Sequence, residues 1–358
     1  MSDILRTFVY NQHPARVTFG RGSIARVGEE ADKLGLKRVI VLSTPPQAAA
    51  AEQVSKQLAD RRTHTFSGAV MHTPVEVTEA ALTLVREHRA DGLVAFGGGS
   101  TIGLSRALAL RTDLPQIAIP TTYAGSEMTP ILGEAAAGRK VTLRSPKVLP
   151  EVVIYDVDLT MSLPPSLSAT SGINAIAHAV EALYAEDRNP VVDHLALDAI
   201  AAMSGALPRI SADSLDQGAR TEALYGAWLC GMCLGSVGMA LHHKLCHALG
   251  GAFDLPHAET HTVILPHALA YNASAVPDVI ARLKTVLAAD NPSHALFELA
   301  GRVGAPRSLE ALGMPIEGIE KATNLVLSSP YANPRQPERD SIRRLLHRAY
   351  SGLPPVSD

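Results

Sequence analysis

"GLVAFGGGSTIGLSRALAL", residues 92–110, joins an unbroken apolar run to a helical pattern through three consecutive glycines, Gly97, Gly98 and Gly99. A continuous apolar run of this kind is the pattern of a strand buried on both faces. The residues after the glycines predict a helix beginning near Ser100. Amides with no side chain beside them can approach a phosphate closely, and a helix N-terminus adds favourable partial charge. The stretch therefore predicts a strand, a phosphate-binding turn and a helix at the C-terminal edge of a parallel sheet, a dinucleotide site. The spacing departs from G-x-G-x-x-G, because the next glycine is Gly103, and the turn follows about the fourth strand instead of the first.

The same alternation extends to both sides. "RVIVLS" (38–43), "QIAIP" (116–120) and "VVIYD" (152–156) read as further strands, and "TEAALTLVREHRA" (78–90) as an amphipathic helix between strands. "PARVTFGRGSIARVGEEADKLG" (14–35) predicts an initial strand and a helix capped by Ser23. "IPTTYAGSE" (119–127) brings the hydroxyls of Thr121, Thr122, Tyr123 and Ser126 to the same sheet edge as the glycines, which suggests a nicotinamide cofactor. "VLSTPPQ" (41–47) ends an early strand with Ser43 and Thr44 and no acid to repel a 2′-phosphate, so use of both NADH and NADPH is expected. After "LTMSLPPSLSATSG" (159–172) the grammar becomes almost wholly helical, with loops expected near Pro190, Pro208, Pro256, Pro292 and Pro330. The predicted organisation is an α/β dinucleotide-binding domain with a mostly parallel sheet over 1–160 and an all-α catalytic domain over 161–358.

Composition narrows the function classes. Of 358 residues, 35 are acidic and 32 basic, a formal charge of −3, with no Lys/Arg block of the kind that tracks nucleic acid or anionic lipid. Neither is an expected partner. Three cysteines, Cys230, Cys233 and Cys246, are too few for a disulfide framework and point to a reducing compartment, the cytoplasm. The C-x-x-C pair lies in "ALYGAWLCGMCLGSVGMAL" (223–241), an apolar run read as a buried helix whose Gly231 and Gly235 allow close helix packing. "MSDILRTFVYNQH" (1–13) lacks the pattern of a signal peptide.

"LHHKLCHALGGAFDLPHAETH" (241–261) holds five of the chain's 14 histidines, a density that marks a place to look for chemistry. With "GGGSTIGLSRALAL" (97–110), "IPTTYAGSEMTPILG" (119–133), "SGINAIAHAVEALY" (171–184) and "HKLCHALGGAFDLPHAETHTVILPHALAYN" (243–272), the chain resembles the iron-containing (group III) alcohol dehydrogenase family over essentially its full length, and within it the maleylacetate reductase branch. The resemblance implies a dehydroquinate synthase-like fold, a nucleotide-binding and a helical domain with a cleft between them, and a homodimer. In metal-dependent relatives an Asp and three His bind Fe²⁺ or Zn²⁺; the matching positions here are Asn174, His178, His243 and His257. An amide oxygen is a weaker donor to such ions than a carboxylate, and Lys244 adds a cation beside His243, so weak or lost metal binding is expected. Gly103 likewise stands where many relatives carry Asp.

The branch resemblance implies reduction of the C=C bond of maleylacetate to 3-oxoadipate, late in the degradation of aromatic compounds. Hydride addition to an enone builds negative charge on the ketone oxygen, and imidazole donors can stabilise it without a Lewis acid. His178, His243, His247 and His257 form the expected catalytic set, with His243 or His247 as proton donor. Lys244 is the expected contact to the dicarboxylate, with Arg144 and Lys147 next and Lys147 also a candidate for cofactor phosphate. His242 and His261 are expected to face solvent or a core partner, His267 to be a packing residue, and Asp254 and Glu259 to be solvated unless they orient imidazoles. Arg335 belongs to a basic final helix, and a substrate contact from it is not argued by spacing. The competing readings are a metal-dependent alcohol dehydrogenase, a dehydroquinate-synthase-like lyase and a non-catalytic binding module. Asn174 weighs against the first two, and the glycines with the histidines against the third.

Overall fold

A computed structural model describes residues 8, 10, 16–136 and 139–357 of the chain. The reading of 1–13 falls outside the described residues except at positions 8 and 10, as does the start of the stretch read from residue 14. The chain divides into two compact units, one spanning Gln12–Leu163 and one built on Pro164–Asp358.

The first unit is organised by a parallel sheet. Strands β1 (Arg16–Phe19), β2 (Arg38–Leu42), β3 (Arg62–Phe66), β4 (Gly92–Gly97), β5 (Gln116–Pro120) and β8 (Val152–Tyr155) lie in the order β1-β8-β5-β4-β2-β3. Successive side chains of a strand point to opposite faces. Val39 and Val41 of β2, with Val94 and Phe96 of β4, thus enter a core with α1 (Val27–Lys33) and α2 (Ala48–Gln57). Ile40, Leu42 and Leu93 enter the opposite core with α3 (Val75–Glu87) and α4 (Gly99–Thr112). Chain direction across the sheet reverses between β2 and β4, the kind of switch point beside which ligands bind in open α/β sheets.

Three local features depart from the sequence reading. β3, "RTHTF", pairs only with β2 at the sheet edge and carries no apolar run, because an edge strand buries only part of its surface. An antiparallel hairpin, β6 (Ile131–Ala136) and β7 (Arg139–Arg144), follows the threonine-rich loop and packs Leu132 against Ala107 of α4. Ser23 is not a helix cap: its Oγ donates to the Tyr155 carbonyl, while Asp156 accepts from the amides of Gly22 and Ile24. A carboxylate one residue past β8 meets those amides better than a neutral hydroxyl inside the turn.

Among its described residues the second unit holds nine α-helices and no strand: α5 (Pro165–Ala182), α6 (Pro190–Ala212), α7 (Gln217–Ser236), α8 (Leu241–Phe253), α9 (His257–Asn272), α10 (Pro277–Val286), α11 (Pro292–Arg302), α12 (Gly318–Leu327) and α13 (Arg339–Tyr350). Asn189 and Asn291 cap α6 and α11, with proline in the first turn of each. Pro208 makes no loop. It lies in the last turns of α6, where burial of Leu207 and Ile210 keeps the chain helical despite the missing N–H. α6 is long and apolar enough to cross a membrane by length and composition, yet it packs along α5 and α7. It lies close to α7 at Gly226, where an added Cβ would lie 3.2 Å from the Ala199 carbonyl oxygen. Cys230 and Cys233 are free thiols buried in α7, where loss of solvent raises both pKa values, in keeping with a structural role.

Candidate active site

Asn174, His178 and Glu181 recur at helical spacing on α5, and all three are buried. The N-terminus of α8 has no side-chain cap of its own. Glu181 supplies one from 61 residues away: its carboxylate accepts from the amides of Ala240 at 3.1 Å and His242 at 2.8 Å, and from His243 Nδ1 at 2.6 Å. A helix N-terminus offers unpaired N–H groups and favours negative charge. One buried carboxylate thus anchors α8 and orients an imidazole on it, the role held open for Asp254 or Glu259. Asp254 instead ends α8 in a left-handed conformation, exposed to solvent.

His178, His243 and His261 converge. One ring nitrogen from each lies within 4.8 Å of the other two. His261, on α9, and His242, on α8, are both fully buried and bond to each other, His242 Nε2 to His261 Nδ1, at 2.9 Å. Neither faces solvent. His242 also has Cys246 Sγ at 3.8 Å from Nε2. Burial, reinforced by the neighbouring imidazoles, holds His178, His242 and His261 well below the ordinary histidine pKa. Asn174 Oδ1, His178 Nδ1 and His261 Nε2 are buried without a hydrogen-bond partner, leaving the centre lined by unsatisfied polar atoms.

The other expected residues are more peripheral. His247 is exposed, its ring 6.1 Å from that of His243. His257 is exposed at the start of α9, with its ring 4.3 Å from that of His261. Lys244 points elsewhere, since neighbouring helix residues diverge by about 100°. Its Nζ donates to Ser329 and lies over the Tyr331 ring. Arg335 stacks on Tyr271 and donates to that residue's carbonyl, a structural use.

Three imidazoles can hold a divalent ion. None of the buried donors here is a free carboxylate, however, because position 174 is an amide and the Glu181 carboxylate is occupied by α8. The set fits such an ion only weakly.

In the α/β unit the glycine turn joins β4 directly to α4. Gly97 has φ of 151°, and a Cβ there would lie 2.5 Å from Thr101 Oγ1. Gly98 precedes α4 with no side-chain cap, while a Cβ on Gly99 would meet nothing within 4 Å. The start of α4 thus has no side chain capping it and free space beside Gly99. Thr121 accepts from Gln47 Nε2 at 3.0 Å, and Thr122 packs against Gly98. Ser126 Oγ is buried without a hydrogen-bond partner. Tyr123 and Ser43 are fully buried, with Ser43 Oγ donating to Ser67, so neither lines the open turn. Lys147 is exposed and pairs with Asp113 at 3.3 Å. Gly103 abuts Thr73, whose Oγ1 would sit 2.4 Å from an added Cβ, so this turn has no room for an aspartate there without movement.

The family model for iron-containing alcohol dehydrogenase matches residues 14–157, and that for the C-terminal part of the Fe-containing alcohol dehydrogenase family matches 168–350. Maleylacetate reductase of Sphingobium indicum is 53% identical over 350 residues, 98% of this chain and 99% of that protein. The crystal structure of maleylacetate reductase from Agrobacterium tumefaciens superimposes with a TM-score of 0.94 at 53% identity, covering 98% of this chain and 99% of that one. An iron-containing alcohol dehydrogenase from Corynebacterium glutamicum gives 0.92 at 40% identity, covering 96% and 97%. On this evidence the chain belongs to the iron-containing alcohol dehydrogenase family.

Proposed function

We infer that the chain reduces the C=C bond of maleylacetate to 3-oxoadipate with NADH or NADPH, acting as a cytoplasmic homodimer. The observation that carries this reading is the imidazole centre of His178, His243 and His261, in which the nearby carboxylate is committed to α8. Likeness at 53% identity over nearly the whole chain to enzymes of that name supports the same substrate.

The Gln12–Leu163 unit binds the nucleotide, with its pyrophosphate on the amides of Gly99 and Ser100 and with Thr122 and Ser126 beside it. A bound nicotinamide supplies hydride to the alkene carbon β to the ketone. The C=C π pair shifts to the bond between the α-carbon and the carbonyl carbon, the C=O π pair moves onto the ketone oxygen, and as the carbonyl re-forms one proton added at the α-carbon completes the product. In the helical unit His178 and His261 stabilise the oxygen as its charge develops. His243, its Nδ1–H held by the Glu181 carboxylate, delivers from its other nitrogen the second proton of its imidazolium form and is left neutral. A divalent ion on the same imidazoles would polarise the ketone; the reading needs none.

The test is NADH and NADPH oxidation with freshly generated maleylacetate before and after exhaustive chelation, with metal content measured alongside. Undiminished turnover of metal-free protein is expected. Activity that returns only with Fe²⁺ or Zn²⁺ would overturn the metal-free mechanism, and aldehyde reduction in place of maleylacetate reduction would overturn the substrate.

A further inference from the structure

His242 has no part in the mechanism so far, yet it is completely buried and makes a short bond to a residue that has. Two imidazoles share one hydrogen across such a contact, which leaves two arrangements. In one, His242 Nε2–H donates to His261 Nδ1, and His261 carries its own hydrogen on Nε2. In the other, His261 Nδ1–H donates, His242 carries hydrogen on Nδ1, and His261 Nε2 is a bare lone pair.

The two arrangements differ in where an unpaired N–H ends up. His242 Nδ1 and His261 Nε2 are both buried without a partner. A buried N–H with no acceptor is among the rarest and costliest defects in a folded chain. The second arrangement strands that hydrogen on His242, on a helix whose neighbouring Leu241 and Leu245 are packed in an apolar core. The first places it on His261, whose ring meets the nitrogens of His178 and His243 where a ligand oxygen can accept it. Cys246 Sγ, 3.8 Å from His242 Nε2, is a weak second acceptor for the shared hydrogen and fits the first arrangement.

We propose that His242 is a positioning residue that holds His261 as its Nε2–H tautomer, so that His261 presents a fixed hydrogen-bond donor to the ketone oxygen of an α,β-unsaturated keto acid. The role of the donor rests on the functional reading above, whereas the tautomer does not.

Ring-¹⁵N-labelled, chelated full-length protein, examined by long-range ¹H–¹⁵N correlation with His261 identified by loss of its signals in His261→Gln, reads the tautomer directly. Hydrogen on Nε2 and a bare Nδ1 is the expected result. Hydrogen on Nδ1 overturns the proposal before any His242 variant is made. His242→Leu removes the donor, and kcat should fall about tenfold or more with KM little changed, as for loss of a transition-state donor. His242→Gln, whose amide N–H reaches the position of Nε2–H, should recover most of that loss. Wild-type kcat in His242→Leu, or a rise confined to KM, contradicts the proposal. If the wild-type protein does not turn over maleylacetate, the functional reading fails while the spectrum still decides the tautomer.

Discussion

Glu181 is the residue on which the candidate site most depends. Glu181→Ala would leave the amides at the start of α8 and His243 Nδ1 without their buried acceptor. We expect a loss of about 3–5 kcal/mol in unfolding free energy, by analogy with breaking a buried charge pair, and near-complete loss of turnover. Denaturant titration alongside steady-state kinetics checks this; a variant as stable as wild type would show that the cap is dispensable. Asn174→Asp supplies the missing anionic donor one turn from His178. Metal content after reconstitution with Zn²⁺ should rise toward one ion per chain, and elemental analysis giving equal occupancy in wild type and variant would refute the amide's role. The pairing of Asn174 with His178 is legible from their spacing. Glu181 lies on the same face but reads as an acid in an apolar helix until the fold brings α8 to it. The family resemblance selects His257, whereas packing seats His261, one turn further along α9, among the buried imidazoles.

Among the elements, the junction of β4 and α4 was the most readable, because strand, glycine turn and helix are contiguous in sequence and their periodicities change abruptly. Its function has a clean test in Gly99, where an added side chain meets nothing within 4 Å. Gly99→Val should leave the thermal midpoint nearly unchanged and raise KM for NADH and NADPH at least tenfold, since the methyls would occupy the place of a phosphate oxygen. An unchanged KM would remove this turn from the cofactor site. β3 and the β6–β7 hairpin were not readable. An edge strand and a surface hairpin bury too little for their patterns to stand out from loops. Pro208 shows the converse: a residue that usually ends a helix is retained because its neighbours are buried.

At the scale of the whole molecule the buried histidines couple folding to pH. Burial holds His178, His242 and His261 well below the ordinary value, with help from their neighbours, and lowers His267 to about 3. Each is neutral when folded and takes up a proton when unfolded below about pH 6.5. The unfolded chain then binds more protons, so this stability is present above pH 6.5 and is lost as the pH falls toward the folded-state values. Denaturant midpoints should therefore drop steeply between pH 6.5 and 5, and a flat midpoint would contradict the buried, neutral state. The sequence by itself determined the parallel α/β half, its glycine turn between β4 and α4, the helical half and the segment where the histidines lie, because each is written in local sequence. Only the tertiary structure decided that Glu181 reaches His243 across 62 positions and that His242 bonds His261 across 19. Those contacts depend on how α5, α8 and α9 pack, and helical periodicity specifies which face of a helix is buried but not which neighbour that face will meet.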